Sequence, residues 1–225
     1  MTATLEENAL LRYPRAHRRF ARGSMPIRFR TCVAWLSAVL ASAAVAQVPE
    51  DIQRFALAAA NARDVFAKPF AVIDKPRARL WVFDERGQLM RDSAVLVGAA
   101  AGDVAPDDIG TRPLSQVKPH EKITPAGRFV TEPGRNTKGE DVIWIDYDSA
   151  VSMHRVRNVP RENRTQRLAT PTVSDNRISF GCVNIPVAFY EQVLMPHFGK
   201  QTGVVYVLPE SQTREALYPF LRDSL

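Results

Sequence analysis

From Phe70 onward, apolar residues recur at every second position in short runs, the spacing of half-buried strands. FAVID (70–74) and ARLWVFD (78–84) both read this way, with Leu80 and Val82 predicted on one face and Trp81 and Phe83 on the other. Glu85-Arg86-Gly87 makes a turn, and QLMRDSAVLVGAA (88–100) continues as a third strand of a meander. GRFVTE (127–132) and DVIWIDY (141–147) flank the turn-rich PGRNTKGE, and VSMHRV (151–156) and TGVVYVLP (202–209) complete the strands. Helical periodicity is confined to short stretches. Residues 49–64 place Ile52, Phe55 and Ala59 on one face behind Pro49. VAFYEQVLMPHF (187–198) follows Pro186 as a helix that Pro196 should end early, and a short helix closes the tail from Ser211. Residues 101–122 and 157–177 have no period and read as loops. The pattern predicts a mostly β fold: a helical segment at 47–68, one β-rich domain at 69–208 with a few short helices, and a helical tail at 209–225.

The first 46 residues follow a different rule. From Met25 a cationic MPIRFR precedes an apolar run of 15 residues (31–45), with small residues at Ala44 and Ala46. That order is expected of a secretory signal peptide cleaved after Ala46, with Met25 expected as the true start; the alternative is a long cytoplasmic leader at residues 1–24. The run is short for a membrane span, which needs about 20 apolar residues, so no stable membrane insertion is expected after cleavage. The other readings are a membrane anchor or a buried helix. The expected location is outside the cytoplasmic membrane, in the periplasm or cell envelope.

Charge adds to this division. The 225-residue chain carries a formal net charge of +6, but seven arginines of residues 1–46 stand against only Glu6 and Glu7. The remainder holds 23 basic and 22 acidic residues, so a cationic nucleic-acid-binding domain is not expected. Two cysteines exclude a disulfide-rich scaffold, and one cysteine with three scattered histidines offers no short metal-ligand spacing. Neither a metal nor another cofactor is expected.

If the signal is removed, Cys182 is the last thiol. It is then a buried inert side chain, an intermolecular cross-link or a nucleophile. Its setting is Ser179-Phe180-Gly181-Cys182-Val183-Asn184, read as a turn directly before a helix, where a thiolate gains from the helix N-terminus and from a nearby imidazolium. Gly181 leaves room for a carbonyl to approach the backbone amides, which can stabilise an oxyanion. Among His120, His154 and His197, only His154 lies mid-strand on a rigid element, as a positioned base requires. The alternative is an ordinary half-buried strand histidine.

These residues resemble the L,D-transpeptidase catalytic domain (YkuD-like) over about residues 69–208. The family pattern is a histidine, a spacer, then Ser/Thr-His-Gly-Cys, a hydrophobic residue and Arg or Asn, and His154, Ser179, Gly181, Cys182, Val183 and Asn184 match it. A second element, Thr-Pro-x-Gly-x-Phe, stands at Thr124-Pro125-Ala126-Gly127-Arg128-Phe129; by itself it is a proline turn into a strand. The chain departs from the pattern in Phe180, where histidine is usual, in Arg155, where glycine is common, and in the 28-residue separation of His154 from Cys182.

The resemblance implies acyl transfer on peptidoglycan stem peptides by a monomer. Cys182 attacks the carbonyl of the third residue, a diamino acid, and releases the terminal D-alanine. His154, oriented by the backbone carbonyl of Arg155, serves as base, and amides near Gly181 and Cys182 hold the oxyanion. An amine from a second stem peptide resolves the thioester. Water in place of that amine makes the same site an L,D-carboxypeptidase or a hydrolase of cross-linked or protein-linked peptidoglycan. A non-catalytic peptidoglycan-binding domain is a further alternative. Ser179 and Asn184 are expected to hold the loop. The 157–177 loop carries five arginines against Glu162 and Asp175, and Arg164 and Arg167 are the candidates for holding the donor's carboxylates.

Overall fold

The alternating runs become one curled sheet. A computed structural model of the chain describes residues 47–224, so the signal, leader and cleavage expectations lie outside the described residues. Strands β1 (Phe70–Asp74), β2 (Arg79–Phe83), β3 (Leu89–Ala94), β5 (Gly127–Arg135), β6 (Asp141–Asp146), β7 (Val151–Arg155), β9 (Val183–Ile185) and β10 (Gly203–Val207) form an eight-stranded sheet in the order β3-β2-β1-β10-β5-β6-β7-β9. The pairs β1–β10 and β7–β9 are parallel and the others antiparallel. Two short strands, β4 (Val97–Gly98) and β8 (Arg177–Ser179), pair separately. The fold is mostly β, as the periodicity predicts.

Period-2 alternation assigns each face its own core. On one face Ala71, Ile73, Leu80, Val82, Val205 and Val207 meet Ile143, Met153, Val183 and Ile185 from the far end of the sheet, because the sheet curls over this shared interior. On the other face Phe70, Val72, Trp81, Phe83 and Tyr206 pack beneath helix α1 (Glu50–Asn61), through Ile52, Phe55 and Ala59. Tyr218 from the tail seals that layer, its hydroxyl 2.6 Å from the Val207 carbonyl oxygen.

Three local expectations are corrected. The strand drawn through 88–100 divides at Val95 and Leu96. Three consecutive buried residues, Val95, Leu96 and Val97, cannot stay on one half-exposed edge. Leu96 instead exchanges backbone hydrogen bonds with Asn184 at 3.0 and 2.9 Å. The 157–177 loop contains helix α2 (Arg164–Ala169) and a 3₁₀ turn at Val173–Asn176. Its arginines organise it: Arg167 donates to the backbone oxygens of Glu162 and Asp175 at 2.9 and 3.1 Å. Finally, Pro196 does not end its helix. Helix α3 (Val187–Phe189) widens into a π-helical stretch at Tyr190–Leu194 and continues as α4 (Met195–Phe198). A π-bulge is a known way to absorb the carbonyl that a mid-helix proline ring displaces. The tail forms α5 (Arg214–Leu217) and a 3₁₀ turn at Pro219–Ser224.

Candidate active site

The parallel register of β7 and β9 builds the site. Met153 lies opposite Val183, His154 opposite Asn184 and Arg155 opposite Ile185. Met153, Val183 and Ile185 point into the core. Alternation therefore puts Ser152, His154, Cys182 and Asn184 together on the other face. Cys182 stands at the entry of β9 and not at a helix N-terminus, since three strand residues and Pro186 intervene before α3. The helix-dipole argument made from the sequence does not apply.

His154 is only 8% exposed. Its Nδ1 lies 2.8 Å from the Arg155 carbonyl oxygen. That oxygen can only accept, so Nδ1 carries the proton and Nε2 keeps its lone pair. Burial pushes the imidazole pKa down to about 4; the Arg155 carbonyl opposes this, while the charges of Arg157 and Arg164 reinforce it. The ring is therefore neutral at pH 7 and not the imidazolium expected beside the sulfur. The Cys182 thiol is partly exposed and points elsewhere: Sγ lies 3.6 Å from the Ala150 carbonyl oxygen and 3.8 Å from Ser152 Oγ.

The turn before the thiol is held by several hydrogen bonds. Gly181 has φ +136°, and a Cβ there would sit 2.8 Å from the Ile123 carbonyl oxygen, so only glycine fits. Its N–H donates to Ser179 Oγ at 3.1 Å, which occupies one of the two amides expected to meet an oxyanion. Its carbonyl accepts from Thr124 Oγ1 at 2.7 Å, and Thr124 Oγ1 in turn accepts the Gly98 N–H at 2.9 Å. Asn184 donates from Nδ2 to the Cys182 carbonyl oxygen at 3.2 Å and accepts at Oδ1 from Arg164 Nη1 at 2.8 Å. Arg164 is buried and also pairs with Glu162 at 2.5 Å. Arg164 and Arg167 thus spend their guanidinium groups within the chain.

Phe180 joins this turn to the 101–122 loop. It packs against Ala105, Ile109 and Val117, and Lys122 Nζ sits 3.8 Å above its ring. Behind Thr124 lies a buried charge network. Lys75, 1% exposed, donates to the Thr124 carbonyl at 2.9 Å and to Asp103 at 3.0 Å. Asp103 also accepts the Ser211 hydroxyl and the N–H groups of Glu210, Ser211 and Gln212; against the burial that raises it, the Ser211 hydroxyl, the Glu210 N–H and Lys75 hold its carboxyl well below the ordinary range. Sequence reasoning missed Ser152, Lys75 and Asp103, and it read Thr124 only as the first residue of the Thr-Pro-x-Gly-x-Phe element. The Ser-x-His spacing on a predicted strand was the available signal for Ser152.

Past His154, at the end of β7 away from Cys182, a cavity of about 290 Å³ is lined by Glu140, Asp141, Val142, His154, Arg157 and Val187, among others. His154 stands between this cavity and the thiol. Among the described residues, no group of three or more His, Cys, Asp or Glu is placed to hold a metal ion, and no helix is long and apolar enough to cross a membrane.

Fold and site together define a mostly β domain that carries a cysteine and a neutral histidine on adjacent parallel strands. No family model and no curated protein matches the chain. Among solved structures it is similar to Bdellovibrio bacteriovorus Bd1075, at 15% identity and TM-score 0.40 over 70% of this chain and 54% of that one. It is also similar to Mycobacterium tuberculosis L,D-transpeptidase 1, at 14% identity and TM-score 0.34 over 62% and 61%. A third similarity is to an L,D-transpeptidase from Mycobacterium smegmatis, at 15% identity and TM-score 0.35 over 63% and 59%. The chain therefore spans between about half and three fifths of the length of these proteins. Likeness this distant carries neither residue roles nor an activity across.

Proposed function

We propose that the chain is a cysteine-dependent acyltransferase of the cell envelope, an L,D-transpeptidase acting on peptidoglycan stem peptides. The observation that carries the reading is the placement of a partly exposed thiol and a buried, neutral histidine on one face of neighbouring parallel segments, with the histidine's Nε2 left to act as base. Two residues of strand, about 6.6 Å of rise, separate their levels. Rotation of the Cys182 side chain away from the Ala150 carbonyl brings Sγ toward the imidazole when substrate fills the cleft.

In the first half-reaction, Nε2 of His154 takes the thiol proton as Sγ attacks the carbonyl carbon of the stem's third residue. Negative charge collects on the carbonyl oxygen, which the Cys182 N–H meets. The C–N bond to the terminal D-alanine then breaks, and His154 returns the proton to the departing amine. In the second half-reaction, an amine deprotonated by His154 attacks the thioester, displaces Sγ and forms the new amide. The cavity beside His154 gives that amine a place to arrive from the side opposite the thiol. Ser179, Gly181 and Asn184 keep the thiol's turn in one geometry through both halves.

The test is purified residues 47–225 incubated with tetrapeptide muropeptides, with products resolved by mass spectrometry. A cross-linked dimer lacking one D-alanine is the expected product. Tripeptides alone point to carboxypeptidase action, and cleaved dimers to a hydrolase. Cys182→Ala removes the nucleophile and should give none of these products. Full turnover by that variant would end the proposal.

A further inference from the structure

The row of residues that holds Cys182 continues across the sheet. Cys182 lies level with Ser152, Ser152 pairs with Trp144 on β6, and Trp144 pairs with Glu132 on β5. All four occupy the face turned away from the shared interior, because Ile143, Met153 and Val183 face it and Glu132 lies opposite Trp144. Beside this row Trp144 stacks on Tyr147, with ring centroids 4.9 Å apart and planes 26° from parallel. Tyr147 is 55% exposed, a large flat ring turned to solvent. The arrangement depends on a particular neighbour. A Cβ at Gly134 would fall 2.7 Å from Trp144 Cδ1 and Nε1, so any larger residue would lift the indole from the sheet. The carboxylate of Glu132 lies beside the Tyr147 hydroxyl. Nothing in the core needs this exposed pair.

We propose that Trp144 and Tyr147 form a platform for a pyranose ring of the glycan to which the donor stem peptide is attached. The idea rests on the stem-peptide reading above and extends it to the sugar. An aromatic face carries partial negative charge, and the axial C–H bonds of a pyranose present a weakly positive apolar face to it. The Glu132 carboxylate can accept from a sugar hydroxyl or an acetamido N–H at the rim. Distance agrees with this occupant. Two strand spacings of about 4.8 Å put Trp144 about 10 Å from Cys182. A stem whose third carbonyl is at the sulfur has three residues between the sulfur and the sugar, and at about 3.3–3.6 Å each they span roughly 10 Å. A bare stem peptide leaves the platform empty.

Two measurements test this. In the first, kcat/KM is compared for a disaccharide-tetrapeptide and for the same tetrapeptide without sugar. Wild type should favour the sugar-bearing donor by about tenfold, equivalent to about 1.4 kcal/mol, and Tyr147→Ala should bring the ratio to about one. Trp144→Ala should do the same; if it fails to fold, exposed Tyr147 still carries the test. A wild-type ratio near one, or a ratio that Tyr147→Ala leaves unchanged, overturns the proposal. In the second, tryptophan fluorescence of Cys182→Ala protein is titrated with an N-acetylglucosamine tetramer, without any turnover. A saturable change that Tyr147→Ala abolishes supports the platform, and a flat titration overturns it. Absence of turnover on either donor would remove the transpeptidase reading, while the fluorescence titration still decides the sugar site.

Discussion

The buried neutral state of His154 has a direct thermodynamic consequence. In the folded chain its pKa lies at about 4, against an ordinary value of 6.5. At pH 7 both states hold a neutral ring, and the full contribution to stability is present. As pH falls below 6.5 the unfolded chain binds a proton that the folded chain refuses, so stability drops; near pH 4 the folded ring protonates too, and the loss stops. At about 1.4 kcal/mol per pH unit, the gap makes a loss of about 3 kcal/mol. The site is almost fully enclosed, so solvent screening takes little from that figure. Arg157 and Arg164 act in the same direction as burial, whereas Glu140 and the Arg155 carbonyl act against it. The perturbation is His154→Gln, which keeps a polar side chain of similar reach that does not titrate. Urea unfolding of both proteins at half-unit steps from pH 7 to pH 4 gives the difference curve. Wild type should lose about 3 kcal/mol relative to the variant across that window, most of it between pH 6 and pH 4.5. A flat difference curve, or one that rises toward acid, would refute a neutral buried imidazole. The same pKa sets the acid limb of kcat/KM near pH 4, where an exposed histidine would place it near 6.5.

Other perturbations separate the roles of the supporting residues. Thr124→Val keeps shape but leaves the Gly181 carbonyl and the Gly98 N–H without their partner; each such loss costs about 1–3 kcal/mol. The expected result is a clear fall in Tm together with slower acylation of Cys182, read by intact-mass analysis. Lys75→Met leaves Asp103 buried without its cation and should destabilise the fold by about 3–5 kcal/mol in urea unfolding. Arg164→Ala should lower stability more than Arg167→Ala, because Arg164 bonds Asn184 next to the thiol; comparing Tm with the donor KM shows whether either arginine also touches substrate.

The helix at 49–64 and most strands were legible because their burial is one-sided or strictly alternating, and one sequence carries that signal. The stretch around Val95 was not, since three adjacent buried residues fit a strand of either sheet until the bridge from Leu96 to Asn184 is formed. The same limit governs the site. Cys182, His154 and Gly181 announce themselves by residue type, but what they do depends on register. A shift of one residue between β7 and β9 would put Cys182 on the face opposite Ser152 and His154, with one strand's polar set turned into the core. Nothing local in VSMHRV or FGCVN sets that register. It is set by long-range contacts: Met153, Val183 and Ile185 seek the interior, and Asn184 is held by Leu96 and Arg164 from opposite sides. The arginines of 157–176 mislead for the same reason. Read alone they form a solvated cationic loop, and only the folded chain shows that Arg164 reaches Asn184 beside the thiol. In this protein the long segment between His154 and Cys182 acts first as a brace for β9, so the charge that looked available to a ligand is what holds the strand after Cys182 in place.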